Sequence, residues 1–158
     1  GKISEAVTLL NQALEDDPSY DKLRLALAGY QHAEDGIEEA RTTLKGVSPP
    51  AQQDEAFKGL LARIEIRETA LNSENQDTLL SRLQSTPDDH DSRRRLSAVL
   101  FERGEAEAAM DHLLEMVRTG QSEIKASARE NLLQVFQALG SSDDRVSRYR
   151  RLLAQALN

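Results

Sequence analysis

Leu96 to Leu114 reads LSAVLFERGEAEAAMDHLL, and its spacing decides the fold. Leu96, Val99 and Leu100 recur at helical intervals, Arg103-Gly104-Glu105 interrupts them, and Leu113, Leu114 and Val117 resume the apolar stripe. The reading is a helical hairpin, with helices over 90–103 and 106–118 joined by a glycine turn. Ser97 and Ala109 fall where the paired helices pass closest, and a close crossing in a packed core needs small side chains. Ala28 and Ala40 repeat this arrangement around Asp35-Gly36, with Ala40 lying 69 residues before Ala109. Ala6 precedes Ala40 by 34 residues, a period of stacked helix–turn–helix pairs. Gly1-x4-Ala6-x6-Ala13-x4-Pro18 then reads as the second helix of one such pair with its terminating proline.

The rest of the chain continues in helices. Residues 2–16 place Ile3, Ala6, Val7, Leu10 and Leu14 on one face. Residues 21–34 repeat Leu23, Leu27 and Tyr30, and residues 37–45 repeat Ile37, Ala40 and Leu44 before Gly46 and Ser48-Pro49-Pro50 break the structure. The 34-residue rhythm lapses there. A longer helix over 51–72 carries Phe57, Leu60, Leu61, Ile64 and Leu71, and a short one over 76–85 carries Leu79, Leu80 and Leu83 ahead of Pro87. Helices over 122–139 and 143–157 meet at Leu139-Gly140-Ser141-Ser142, with Gly140 as C-cap and Ser142 as the capping residue of the last helix. No stretch alternates as a strand would. The expectation is an all-α, helical-hairpin solenoid of about nine helices with a C-terminal capping helix. It forms a single domain over 1–158: first repeats over about 1–47, an irregular helical pair over 51–85, and C-terminal repeats with their cap over 90–157.

Gly1 falls in the turn between two helices of a repeat, so the sequence reads as a fragment lacking that repeat's first helix. Part of Ile3, Val7, Leu10 or Leu14 is then expected to stay uncovered. Upstream sequence, or a second copy paired edge to edge, would cover it.

Composition narrows the function. The net charge of −7 opposes general nucleic-acid binding, which needs a basic surface to release counterions. With no cysteine in the 158 residues, disulfides, thiolate metal sites and thiol catalysis are excluded, and a cytoplasmic location is the expectation. No apolar run approaches the ~20 residues of a spanning helix, and no leader pattern is present, so no membrane partner is expected.

Chemistry has little purchase on this sequence. His32, His90 and His112 lie on separate helices without metal-ligand spacing. Asp88-Asp89-His90-Asp91 follows Pro87, where acidic residues open a helix by complementing its dipole. No G-x-S-x-G, Walker or G-x-G-x-x-G pattern occurs. The expectation is no enzyme, no metal and no cofactor. Arg93-Arg94-Arg95 must point in different directions around one helix. Arg145, Arg148, Arg150 and Arg151 flank the apolar stripe Val146, Tyr149, Leu153 and Ala156. Such a terminal helix can cap the repeats or present its face to a partner, and capping is favoured.

The repeats resemble tetratricopeptide repeats. Three segments resemble something narrower: Leu96–Leu114, Ala128–Gly140 (ARENLLQVFQALG) and Asp143–Leu157 (DDRVSRYRRLLAQAL) look like the closing part of bacterial thioredoxin-like co-chaperones, the chaperedoxins. Those proteins join a thioredoxin domain to a C-terminal tetratricopeptide domain. The resemblance implies a protein–protein interaction module of a stress-response co-chaperone, binding unfolding client proteins, a chaperonin, or both. It also implies docking through helix 143–157, with Tyr149, Arg150, Arg151 and Leu153 the matching partner-binding positions. The family's cysteine chemistry belongs to the thioredoxin domain, which is absent from this chain. The alternative is a generic tetratricopeptide scaffold assembling another protein complex. Some tetratricopeptide proteins clamp a terminal carboxylate with Lys and Asn from inner helices. The corresponding positions here are Lys22, Leu25, Gly29 and His32 in one repeat and Asp91, Arg94 and Ala98 in another. They lack Asn, and acidic chaperone tails are not expected to bind by that route.

Overall fold

The computed structural model describes all of residues 1–158. It contains nine α-helices: α1 (Lys2–Asp16), α2 (Asp21–Ala33), α3 (Ile37–Lys45), α4 (Glu55–Leu71), α5 (Gln76–Ser85), α6 (His90–Glu102), α7 (Ala106–Thr119), α8 (Ser122–Leu139) and α9 (Asp144–Leu157). A short 3₁₀ turn, Ala51–Gln53, precedes α4, where the sequence suggested continuous helix from residue 51. Pro49-Pro50 and Asp54 account for the difference. Asp54 is extended and separates the turn from α4. No strand is present, so the all-α expectation holds.

The helices form two compact units, Gly1–Ile64 and Glu65–Asn158. In the first, α2 packs against both α1 and α3. Ala28 and Ala40 are fully buried at the α2/α3 crossing, as their spacing requires. Leu44, Val47, Leu60 and Ile64 complete that core. α1 has no buried residue, and Ile3 and Leu9 are exposed. Tyr30 departs from expectation: it is 42% exposed, and the inward turn of α2 is made by Leu27 and Ala28.

In the second unit, α6 pairs with α7, and α7 packs against α8 and α9. Ala109 is fully buried. The buried Ser97 hydroxyl donates to the Ala109 carbonyl at 3.0 Å, so the small residue of α6 also satisfies its own polar group across the crossing. Leu113, Leu114, Val117, Leu132, Val135 and Phe136 build the main core, and Leu79, Leu83, Leu96 and Leu100 a second cluster. Leu71 is not part of either core; it ends α4 at 68% exposure.

The two hairpin turns are chemically alike. Gly36 N–H donates to the Gln31 carbonyl at 2.8 Å, and Glu105 N–H donates to the Leu100 carbonyl at 2.9 Å. Asp35 N–H to His32 and Gly104 N–H to Phe101 complete a Schellman motif in each. The left-handed residue is Gly104 (φ 81°) in one turn and Asp35 (φ 66°) in the other. Asp is among the few residues with side chains that enter this region readily.

Candidate protein-interaction surfaces

The cleft of the second unit is built by three helices. The last two turns of α4 supply Ile66 and Thr69, α6 supplies Arg94, Ala98 and Phe101, and α8 supplies Asn131, Gln134 and Val135. The space between them is small, about 20 Å³, room for roughly one water. A shallower trough continues from Thr69 and Arg94 past Asn72, Ser73 and Arg95. The floor is apolar because Ile66, Ala98 and Val135 also belong to the core beneath. The rim is polar. Gln134 donates through Nε2 to Glu65 Oε2 at 2.7 Å, and Thr69 donates its hydroxyl to the Glu65 carbonyl at 3.1 Å.

Arg94 and Arg95 share one carboxylate. Asp91 accepts from Arg94 Nη2 at 2.9 Å and from Arg95 Nε at 2.6 Å. The Arg94 bond, more than Arg95, holds the Asp91 carboxyl below the usual carboxylate range. Arg95 also donates to the Asn72 carbonyl at the end of α4. Arg93 turns away towards α7, its guanidinium 3.3 Å from His112 Nδ1 and donating to the Pro87 carbonyl. The triplet is therefore no single basic patch. Asp89 is the N-cap of α6 and accepts the Ser92 N–H at 3.0 Å. The acidic run after Pro87 thus acts locally on α6, through one cap and one ion-pair hub.

Arg94 and Ala98 were legible as inner positions; Asn131 and Gln134 were not. The missing clue was the α8 register: α8 is the next inner helix, and its amides complete the cleft beside Arg94.

α9 divides its candidate residues. Tyr149 is 4% exposed and Leu153 6%, and both join Val146 in the core, so neither is free to meet a partner. The Tyr149 hydroxyl donates to Asp111 Oδ1 at 2.7 Å, and burial, reinforced by Asp111, raises its pKa to about 12. α9 therefore caps α7 with its apolar stripe. Arg145 is held by Asp143 and Arg148 by Glu107. Arg150 and Arg151 remain outward, Arg150 lying 5.8 Å from the Phe136 ring centre. The cap of α9 is Asp143 rather than Ser142: its carboxylate accepts the Arg145 N–H at 2.9 Å, and Arg145 pairs back onto it.

Sequence profiles of the tetratricopeptide repeat match residues 1–64 and 69–158. The chain belongs to the tetratricopeptide-repeat family. The two matched tetratricopeptide spans follow the two compact units almost residue for residue. A crystal structure of a domain of unknown function from Vibrio parahaemolyticus is similar at 24% identity and a TM-score of 0.49, over 98% of this tetratricopeptide chain and 92% of that one. No curated protein matches in sequence. No helix is long and apolar enough to cross a membrane.

Proposed function

We propose that this tetratricopeptide chain is the non-catalytic interaction module of a cytoplasmic thioredoxin-like co-chaperone, holding unfolding clients and docking on a chaperonin. The observation that carries the reading is the division of α9, the helix at the centre of the resemblance. Val146, Tyr149 and Leu153 hold it in place, while Arg150 and Arg151 stay exposed. In this reading the docking contact is electrostatic, made by Arg150 and Arg151. Tyr149 and Leu153 act only by fixing the helix that carries them. The cleft between α4, α6 and α8 is the proposed client site.

Chaperonin capture by the full chain and by the Arg150→Glu/Arg151→Glu variant tests the docking. Reversing two rim charges is expected to weaken capture by ~10-fold or more and to remove its salt dependence. Equal capture by both would end the docking role of α9. Suppression of aggregation of a heat-unfolded protein by the same chain tests the holding activity.

A further inference from the structure

We infer that α1 is a self-association element: two copies of the chain pair their α1 helices antiparallel, across a two-fold axis at Leu9, as a weak homodimer. The surface belongs to the first unit and is independent of α9 and of the client cleft.

The sequence of α1 sets up the pairing. Lys2, Leu9 and Asp16 follow one another at intervals of seven residues. Seven residues make nearly two helical turns, so the three side chains share one face. That face is not the one α2 covers. Ala6, Val7, Leu10, Ala13 and Leu14 are half-buried where α1 packs on α2, whereas Lys2, Leu9 and Asp16 are exposed, Leu9 at 64%. The free face reads cation, leucine, anion at equal spacing. Turned end for end, it is its own complement. An antiparallel copy sets Leu9 on Leu9 and each Lys2 opposite the other copy's Asp16, about 10 Å to either side of the axis. A parallel copy would set like charge on like. A two-fold interface requires this self-matching, in which residue i meets j and j meets i.

The helix dipole points the same way. Lys2 is the first residue of α1 and Asp16 the last. A helix start carries partial positive charge and its end partial negative, so both side chains stand where their own helix disfavours them. No basic residue relieves the last turn, and Glu15, Asp16 and Asp17 make that end strongly acidic. Antiparallel pairing reverses the misplacement: Lys2 lies over the second copy's acidic end, and Asp16 over its positive start. Size sets the strength. One pair of 15-residue helices, each about 22 Å long, is smaller than a standard interface. A dissociation constant on the order of 100 μM is expected, sensitive to salt.

Sedimentation equilibrium of the full chain from ~10 μM to ~1 mM, spanning that constant, tests the pairing. The average mass is expected to climb from monomer towards dimer, while deuterium exchange of the α1 amides slows with concentration. Leu9→Glu puts two carboxylates on the axis and is expected to weaken association ~10-fold or more, with thermal unfolding unchanged because the site is exposed. Lys2→Glu and Asp16→Lys, taken singly, are each expected to weaken it ~5-fold. Each suits the dipole of α1 better than the native residue, so neither can act by melting the helix. Lys2→Glu/Asp16→Lys together restore opposite charges across the axis and are expected to recover most of the association. A chain monomeric throughout, a dimer indifferent to Leu9→Glu, or a double variant no better than the single ones would overturn the inference.

Discussion

Ala109 has no exposed surface and lends its carbonyl to the Ser97 hydroxyl, so any added carbon atoms must separate α6 from α7 and stretch that bond. Ala109→Leu is expected to cost ~1–3 kcal/mol, read as a lowered urea midpoint at unchanged slope. The same exchange at two glycines should act with opposite signs. Gly104 has φ 81° and open space around a would-be Cβ, so Gly104→Ala pays only for the left-handed backbone, ~1–2 kcal/mol. Gly29 sits within α2, also with nothing near a Cβ, and Gly29→Ala should stabilise by ~0.5–1 kcal/mol through helix propensity. Thermal unfolding of the two variants, one shifted down and one up, checks both. At this scale the sequence showed small residues and turn glycines clearly, because their spacing is fixed by the crossing. It could not show Asp35 taking the left-handed place, since the adjacent Gly36 is the more obvious candidate. Nor could it choose Asp143 over Ser142, two good capping residues side by side.

Among the elements, α9 and α1 are opposites. Val146, Tyr149 and Leu153 are each worth ~1.5–3 kcal/mol when buried, comparable together with the ~5–15 kcal/mol that holds a typical domain folded. Ending the chain before Asp143 is therefore expected to unfold the second unit, visible as lost helical circular dichroism. The charge-reversed Arg150/Arg151 variant should melt normally. α1 has no fully buried residue, and its amides are expected to exchange with deuterium fastest of the nine helices; protection equal to that of α7 would contradict this. Every helix was legible from apolar periodicity, with ends displaced by a residue or so except at the start of α4, which lies four residues later than expected. Which way an amphipathic helix turns was harder to read. Tyr30 and Leu71 fit their stripes but lie where no neighbouring helix covers them, and Tyr149 was read as a contact although its ring is needed inside. The α8 side of the cleft escaped because amides carry no period of their own.

Acidity acts on the molecule in two windows. His112 is held below its usual pKa of 6.5 by burial first and by Arg93 second, with Asp111 opposing. Below about pH 6.5 the unfolded chain takes up this proton before the folded one does, so stability falls as pH drops. Asp21, Asp89, Asp91 and Asp143 are lowered from 3.8 by bonds to Ser48, Ser92, Arg94 and Arg145 respectively. Their contribution is complete above 3.8 and disappears as pH falls through the lowered folded values. Urea unfolding across pH should show a two-stage decline, and His112→Gln should flatten the upper stage alone. Helix α4 carries a different consequence. Leu60 and Ile64 lie in the core of one unit and Ile66 in that of the other, so a single helix is structural timber for both. Severing the polypeptide between the two matched repeats would strip each half of a beam. Anyone dissecting it should give residues 55–71 to both pieces, accepting the duplicated sequence.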